Sequence, residues 1–149
     1  MENGFSKMST FDIPISLLTG VKHLDGQHQE IVCVAFCLQD YIGEDHLREA
    51  LYLFDRFIRL LYEHFRDEEG LMAETCFREI ESHQKHHETI GNRTKEIRAE
   101  IQEQGRVEKG HVVECVDGIL VHMFKSDASF HTHLCEIGFC ESLSKASSG

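Results

Sequence analysis

Between residues 20 and 135 the apolar positions recur in steps of three and four, the period of an amphipathic helix. Leu24, Ile31, Val32, Ala35, Phe36 and Leu38 predict a first helix from about Val21 to Tyr41, ended by Gly43. Leu47, Leu51, Phe54, Ile58, Leu61 and Phe65 predict a second, capped by Asp45 and reaching about Glu74. After a break at 75–77, a strongly polar third run from Arg78 to Gln104 keeps Ile80, His83, His87, Ile90, Thr94 and Ile97 on one stripe. Gly105 stops it. A fourth run, about Glu108 to Leu134, places Val112, Cys115, Ile119, His122 and Phe130 near one face. The single proline is Pro14, so no proline interrupts these helices. Four long helices with short connections predict an all-α protein, an antiparallel up-down-up-down four-helix bundle over 20–135. Residues 1–19 read as an irregular N-terminal arm, whose Phe11, Ile13, Ile15, Leu17 and Leu18 can pack along the outside of the bundle. Residues 136–149 read as a flexible tail, small and polar from Ser142 onward.

Charge narrows the class of partner. The formal net charge of -11 argues against nucleic acid and against an anionic membrane surface. The longest apolar run, Ile31 to Leu38, is too short to span a bilayer. Met1 to Thr10 is polar and lacks an apolar signal core, so the expected location is the cytoplasm, with the 6 cysteines reduced. Eleven histidines in 149 residues is the number that stands out.

The inner stripes collect those histidines. The first helix offers His28, preceded by Gln27; the second offers His64 and Glu68, four apart on one face. The third offers His83 and His87 at the same spacing, and the fourth His122 and Asp127. Five imidazoles and two carboxylates are too many for one tetrahedral zinc, and suit two ions of higher coordination number. Carboxylates can bridge two cations and offset their charge, and the absence of cysteine favours iron or manganese over a thiolate zinc site. One spacing is irregular. An ideal helix turns His122 and Asp127 about 140° apart, so either they approach the metals from different sides or a local π-turn swings Asp127 inward.

The run Gly20-Val21-Lys22-His23-Leu24-Asp25-Gly26-Gln27-His28, then His64 to Met72, His83 to His87 and His122 to Asp127, closely resembles the single-domain bacterial hemerythrins. The five-residue step to Asp127 is part of that family's pattern. The resemblance implies a non-heme, oxo- or hydroxo-bridged pair of iron ions: His83, His87 and His122 on one, His28 and His64 on the other, with Glu68 and Asp127 bridging. It implies reversible binding of dioxygen at the second iron, in an apolar, dry pocket, for carriage, storage or delivery rather than enzymatic turnover. Sensing of oxygen, redox state or nitric oxide is the alternative, as is a diiron enzyme acting on peroxide or nitric oxide. The resemblance names no protein partner. Members often carry Trp one turn before the fourth-helix histidine; Gly118 stands there, and a wider channel with faster ligand exchange and autoxidation is the expectation.

The remaining chemistry reads as structural. His23, His86, His111, His131 and His133 fall outside the ligand set, with His46 and His111 expected at the surface. Glu69 is expected to be solvated, and Asp25 and Gln27 to orient His28 or cap its helix. Tyr62, Phe65, Ile119 and Phe124 are candidates for the apolar pocket. Cys33 and Cys37 read as packing residues, and Cys135 with Cys140 as a candidate redox-sensitive pair.

Overall fold

The computed structural model describes residues 19–139, the side chain of Phe124 excepted. The expected packing of residues 11–18, the character of the tail from Ser142, Cys140 and the Phe124 side chain therefore lie outside the described residues. Five α-helices account for most of the chain: α1 Lys22–Cys37, α2 Leu47–Glu74, α3 Ile80–Gln104, α4 Lys109–Val121 and α5 Asp127–Glu136. Among the described residues no helix is long and apolar enough to cross a membrane. The chain is all-α, as the periodicity predicts.

Two helices differ from their predicted form. The first tightens after Cys37 into a 3-10 turn, Leu38–Tyr41. The fourth is not one helix, because a π-turn, His122–Ser126, separates α4 from α5. Gly43 and Gly105 end their helices at φ +115° and +73°, conformations that a side chain disfavours. Asp45 does not cap α2; the position before the helix is His46, which makes no capping hydrogen bond. The cause is tertiary, since Gly43 and Val107 exchange two backbone hydrogen bonds of 2.8 and 2.9 Å and so fix the chain just before Asp45. Asp25 acts as a clasp. Its carboxylate accepts from Thr19 N and Oγ1 at 2.7 and 2.8 Å and from Gly20 N at 3.2 Å, tying down the entry to α1.

The apolar core is divided. A large cluster contains Ile31, Phe54, Phe57, Leu61, Phe65, Ile97, Ile101, Ile119 and Met123. A smaller one contains Leu24, Met72, Phe77, Phe130 and Leu134. The chain runs from the smaller to the larger along α1, returns along α2, crosses again along α3 and returns through α4 and α5. On every crossing it passes a candidate ligand: His28 between Leu24 and Ile31, His64 and Glu68 between Leu61 and Met72, His83 and His87 between Phe77 and Ile97, His122 and Asp127 between Ile119 and Phe130. One polar layer thus lies between two apolar ones.

Candidate metal centre

All seven candidate residues are buried, from fully enclosed His64, Glu68 and His122 to His83 at 5% exposure. Their inward atoms form two groups that share the carboxylates. Glu68 Oε1 lies 2.8 Å from His83 Nε2, 3.0 Å from His87 Nε2 and 3.8 Å from His122 Nε2. Asp127 Oδ1 faces the same group, 3.2 Å from His83 Nε2 and 3.1 Å from His122 Nε2. On the other side Glu68 Oε2 lies 3.2 Å from His64 Nε2 and 3.9 Å from His28 Nε2, and Asp127 Oδ2 is 2.8 Å from His28 Nε2. Glu68 thus turns one oxygen to three imidazoles and the other to two, and Asp127 turns one to two and the other to one.

The π-turn makes this possible. A π-helix carries one extra residue per turn, so five residues return Asp127 to the side of His122 that faces the cavity. Of the two arrangements the spacing allows, the local widening is the one present.

The converging atoms satisfy one another only in part: Glu68 Oε1 meets His83 and His87, and His28 meets His64 at 2.8 Å. Glu68 Oε2 and both oxygens of Asp127 are buried and make no hydrogen bond, despite imidazole nitrogens at 2.8 to 3.9 Å. Buried carboxylate oxygens without donors are costly unless a cation completes them. The atoms of Glu68, His83, His87 and His122 lie within 4.8 Å of one another, as do those of His28, His64, Glu68 and Asp127. The residues fit two cations.

Charge supports this. Burial alone pushes the Glu68 carboxyl up, but the surrounding imidazoles of His122, His64, His83 and His87 hold it well below the usual carboxylate range. Asp127 is likewise held far down, against burial and Glu68, by His122 and His28. Burial works against protonation of His122, yet Asp127 and Glu68 raise it to about 10. His28 and His83 are raised for the same reason, whereas burial outweighs the carboxylates at His64 and lowers it. Without metal, protons on imidazoles occupy the role that cations would fill.

The outward nitrogens show what orients the rings. His64 Nδ1 meets Gln27 Oε1 at 2.9 Å, so Gln27 supports His64 rather than His28, whose Nδ1 has no partner. His87 Nδ1 donates to Glu69 Oε2 at 2.7 Å, and Phe65 stacks on the same ring at 3.9 Å and 11°. Glu69 is therefore not a solvated bystander. Successive helical residues point about 100° apart, so Asp67, Glu68 and Glu69 reach towards α1, the cavity and α3 respectively. The position of Glu69 on the α3 side of the wheel is the signal that sequence reasoning passed over. A carboxylate behind a ligating imidazole strengthens and orients it. Glu69→Ala is expected to weaken metal held by the three-histidine group roughly 10- to 100-fold; competition with a chromophoric chelator measures it.

The other histidines are accounted for. His131 Nδ1 donates to Thr19 O at 2.6 Å, and His133 Nε2 to Thr75 O at 3.0 Å, each pinning a loop. His111 is buried, contrary to expectation, because its Nδ1 accepts from Glu108 N and closes the start of α4. His86 lies against His122, rings 5.2 Å apart. Tyr62 is half-exposed over Gly91, where an added Cβ would lie 2.6 Å from its hydroxyl, so it borders the outer surface near His87 rather than the cavity. Ile119 and Phe65 are core. Cys37 is buried in the large cluster. Cys135 is disulfide-bonded, against the expectation of reduced thiols throughout.

Comparison with known proteins agrees with the geometry. Neither the curated proteins nor the solved structures gave a match. The family model for the hemerythrin HHE cation binding domain matches residues 19–134, which include all seven converging residues and most of the described fold. On that match, and with two buried histidine–carboxylate groups at its centre, the chain belongs to the hemerythrin HHE cation-binding domain family.

Proposed function

We propose that this protein binds dioxygen reversibly at a non-heme diiron centre, with His83, His87, His122, Glu68 and Asp127 on one iron and His28, His64, Glu68 and Asp127 on the other. The observation that carries the reading is the unequal division of histidines, three against two, across carboxylates that each face both groups. The end with fewer protein donors is the end at which an external ligand has room to bind. When bound, a ferrous pair supplies two electrons to dioxygen and recovers them on release.

The residues around the centre serve that reversibility. Leu24 and Met72 on one side, and Ile31, Leu61, Phe65, Ile119 and Met123 on the other, wall the polar layer with apolar side chains that exclude water. The carboxylates keep the pair together, and Glu69 and Gln27 hold His87 and His64 in register. A donor set with five imidazoles favours binding over turnover, so we place the protein among carriers, stores or deliverers of oxygen and not among enzymes.

Loading the metal-free protein with ferrous iron under nitrogen and admitting oxygen is the test. A visible band that appears with oxygen and vanishes on its removal is expected. Immediate irreversible oxidation, or turnover of added peroxide or nitric oxide, would favour the enzyme, and colourless protein with tightly held zinc would overturn the diiron reading.

Gly118 bears on rate. It lies one turn before His122, and a Cβ added there would meet no atom within 4 Å. Gly118→Ala is expected to add about 1 kcal/mol of stability through helix propensity alone. Gly118→Trp fills the space, and slower ligand exchange and slower autoxidation are expected, both read by stopped-flow absorbance.

A further inference from the structure

Asp67 stands behind the two-histidine end of the centre at one remove. Gln27 Nε2 lies 2.8 Å from Asp67 Oδ2, and Gln27 Oε1 lies 2.9 Å from His64 Nδ1. A carboxylate only accepts, so the amide end facing Asp67 is the NH2 group. The other end is then the carbonyl oxygen, which also only accepts, and His64 Nδ1 must carry its hydrogen. His64 Nε2 then carries no hydrogen; it lies 3.2 Å from Glu68 Oε2 and 2.8 Å from His28 Nε2, from which it can accept. The hydrogen bonds run in one direction, and Asp67 sets it.

We infer that Asp67 is a positioning residue for the metal centre: acting through Gln27, it selects the His64 tautomer that presents Nε2 to an ion. The inference deepens the proposed function and rests on it for the identity of the ion. Two contrasts support it. Glu69 reaches His87 directly, whereas the carboxylate on the opposite flank of α2 reaches His64 only through an amide. His28, the other imidazole at that end, has no partner at Nδ1, so His64 carries the hydrogen-bonded support described there. Asp67 is also accessible: His23, with its side chain 68% exposed, meets the same Oδ2 at 2.9 Å. The support for a buried ring therefore begins at the surface.

Four variants test the inference: Asp67→Ala, which removes the acceptor; Asp67→Asn, which keeps an accepting oxygen; Gln27→Leu; and the double Gln27→Leu/Asp67→Ala. Asp67 and Gln27 are incompletely buried, and circular dichroism checks that each variant folds. Long-range proton–nitrogen NMR of the metal-free, nitrogen-15-labelled protein reads the His64 tautomer without any metal. Wild type and Asp67→Asn should show hydrogen on Nδ1, and Asp67→Ala should show the Nε2-protonated form; an unchanged pattern in Asp67→Ala overturns the inference. Anaerobic cobalt(II) titration supplies the second readout. The two-histidine step should weaken roughly 10- to 100-fold in Asp67→Ala, with the three-histidine step unmoved. The double variant should be no weaker than Gln27→Leu alone, because the two residues act in series. Equal weakening of both steps, or additive losses, overturns the inference. A wild-type protein that takes up no second cobalt ion would count against the metal pair itself, while the NMR result still decides the relay.

Discussion

Glu68→Ala is expected to abolish the pairing of metal ions. No other residue touches both groups so evenly: Glu68 Oε1 faces three imidazoles and Oε2 faces two, with the side chain fully buried. Removing it leaves Asp127 as the single bridge, and all five histidines lose a carboxylate that lies within 4 Å of each. Breaking a buried charge network in this way costs about 3–5 kcal/mol, so the variant should also melt lower. Glu68→Gln separates the two effects, because it keeps the shape and loses the charge and the second accepting oxygen. Metal analysis after gel filtration should find the metal content of both variants well below that of wild type. His64→Ala provides the contrast. It removes a donor from the two-histidine group alone, and the protein should keep metal at His83, His87 and His122 while losing it beside His28.

The second large effect concerns removal of the metal. A ligand that binds only the folded state, present at a thousand times its Kd, adds about 4.1 kcal/mol. In a chain of 149 residues each kcal/mol moves Tm by about 2–4 °C. Chelation should therefore lower Tm by roughly 8–16 °C for each site so occupied. The difference should widen with pH. His28, His83 and His122 are raised in the metal-free protein, so their contribution to its stability is full below about 6.5 and is lost as pH rises through their folded values, about 10 for His122. Metal binding runs the other way, since imidazoles must lose protons to ligate. Thermal melts of loaded and metal-free protein at pH 6 and pH 8 are the check, with the larger gap expected at pH 8.

The helices and six of the seven converging residues, all but Asp127, can be read from the sequence because inward positions declare themselves by period. His64 and Glu68, or His83 and His87, share a face in any regular helix. The step from His122 to Asp127 cannot be settled in that way, since regular geometry separates them and only the π-turn brings them together. Glu69 and Asp67 are obscure for a different reason. They point about 100° to either side of Glu68, and what they meet depends on which helices flank α2. That is a tertiary fact: Gln27 is 40 residues from Asp67, and His87 is 18 from Glu69. Asp45 fails as a cap and His111 fails as a surface residue for similar reasons. The Gly43–Val107 pairing fixes the backbone before Asp45, and the first turn of α4 captures the His111 ring.

The divided core has a consequence for how the molecule opens. Leu24, Met72, Phe77, Phe130 and Leu134 are few, and the polar layer separates them from the larger cluster. Cooperativity across that layer depends on groups that repel or crowd one another until cations join them. Without metal, the end of the protein built on the small cluster can unfold as a unit of its own, with amide exchange faster than in the central turns of α2 and α3. With metal, the same layer becomes a cross-link among helices from all parts of the chain, and the two units merge into one. Local opening at that end is then also the route by which metal is lost, so the rate of release should follow the stability of a few buried side chains as much as the strength of the ligand bonds.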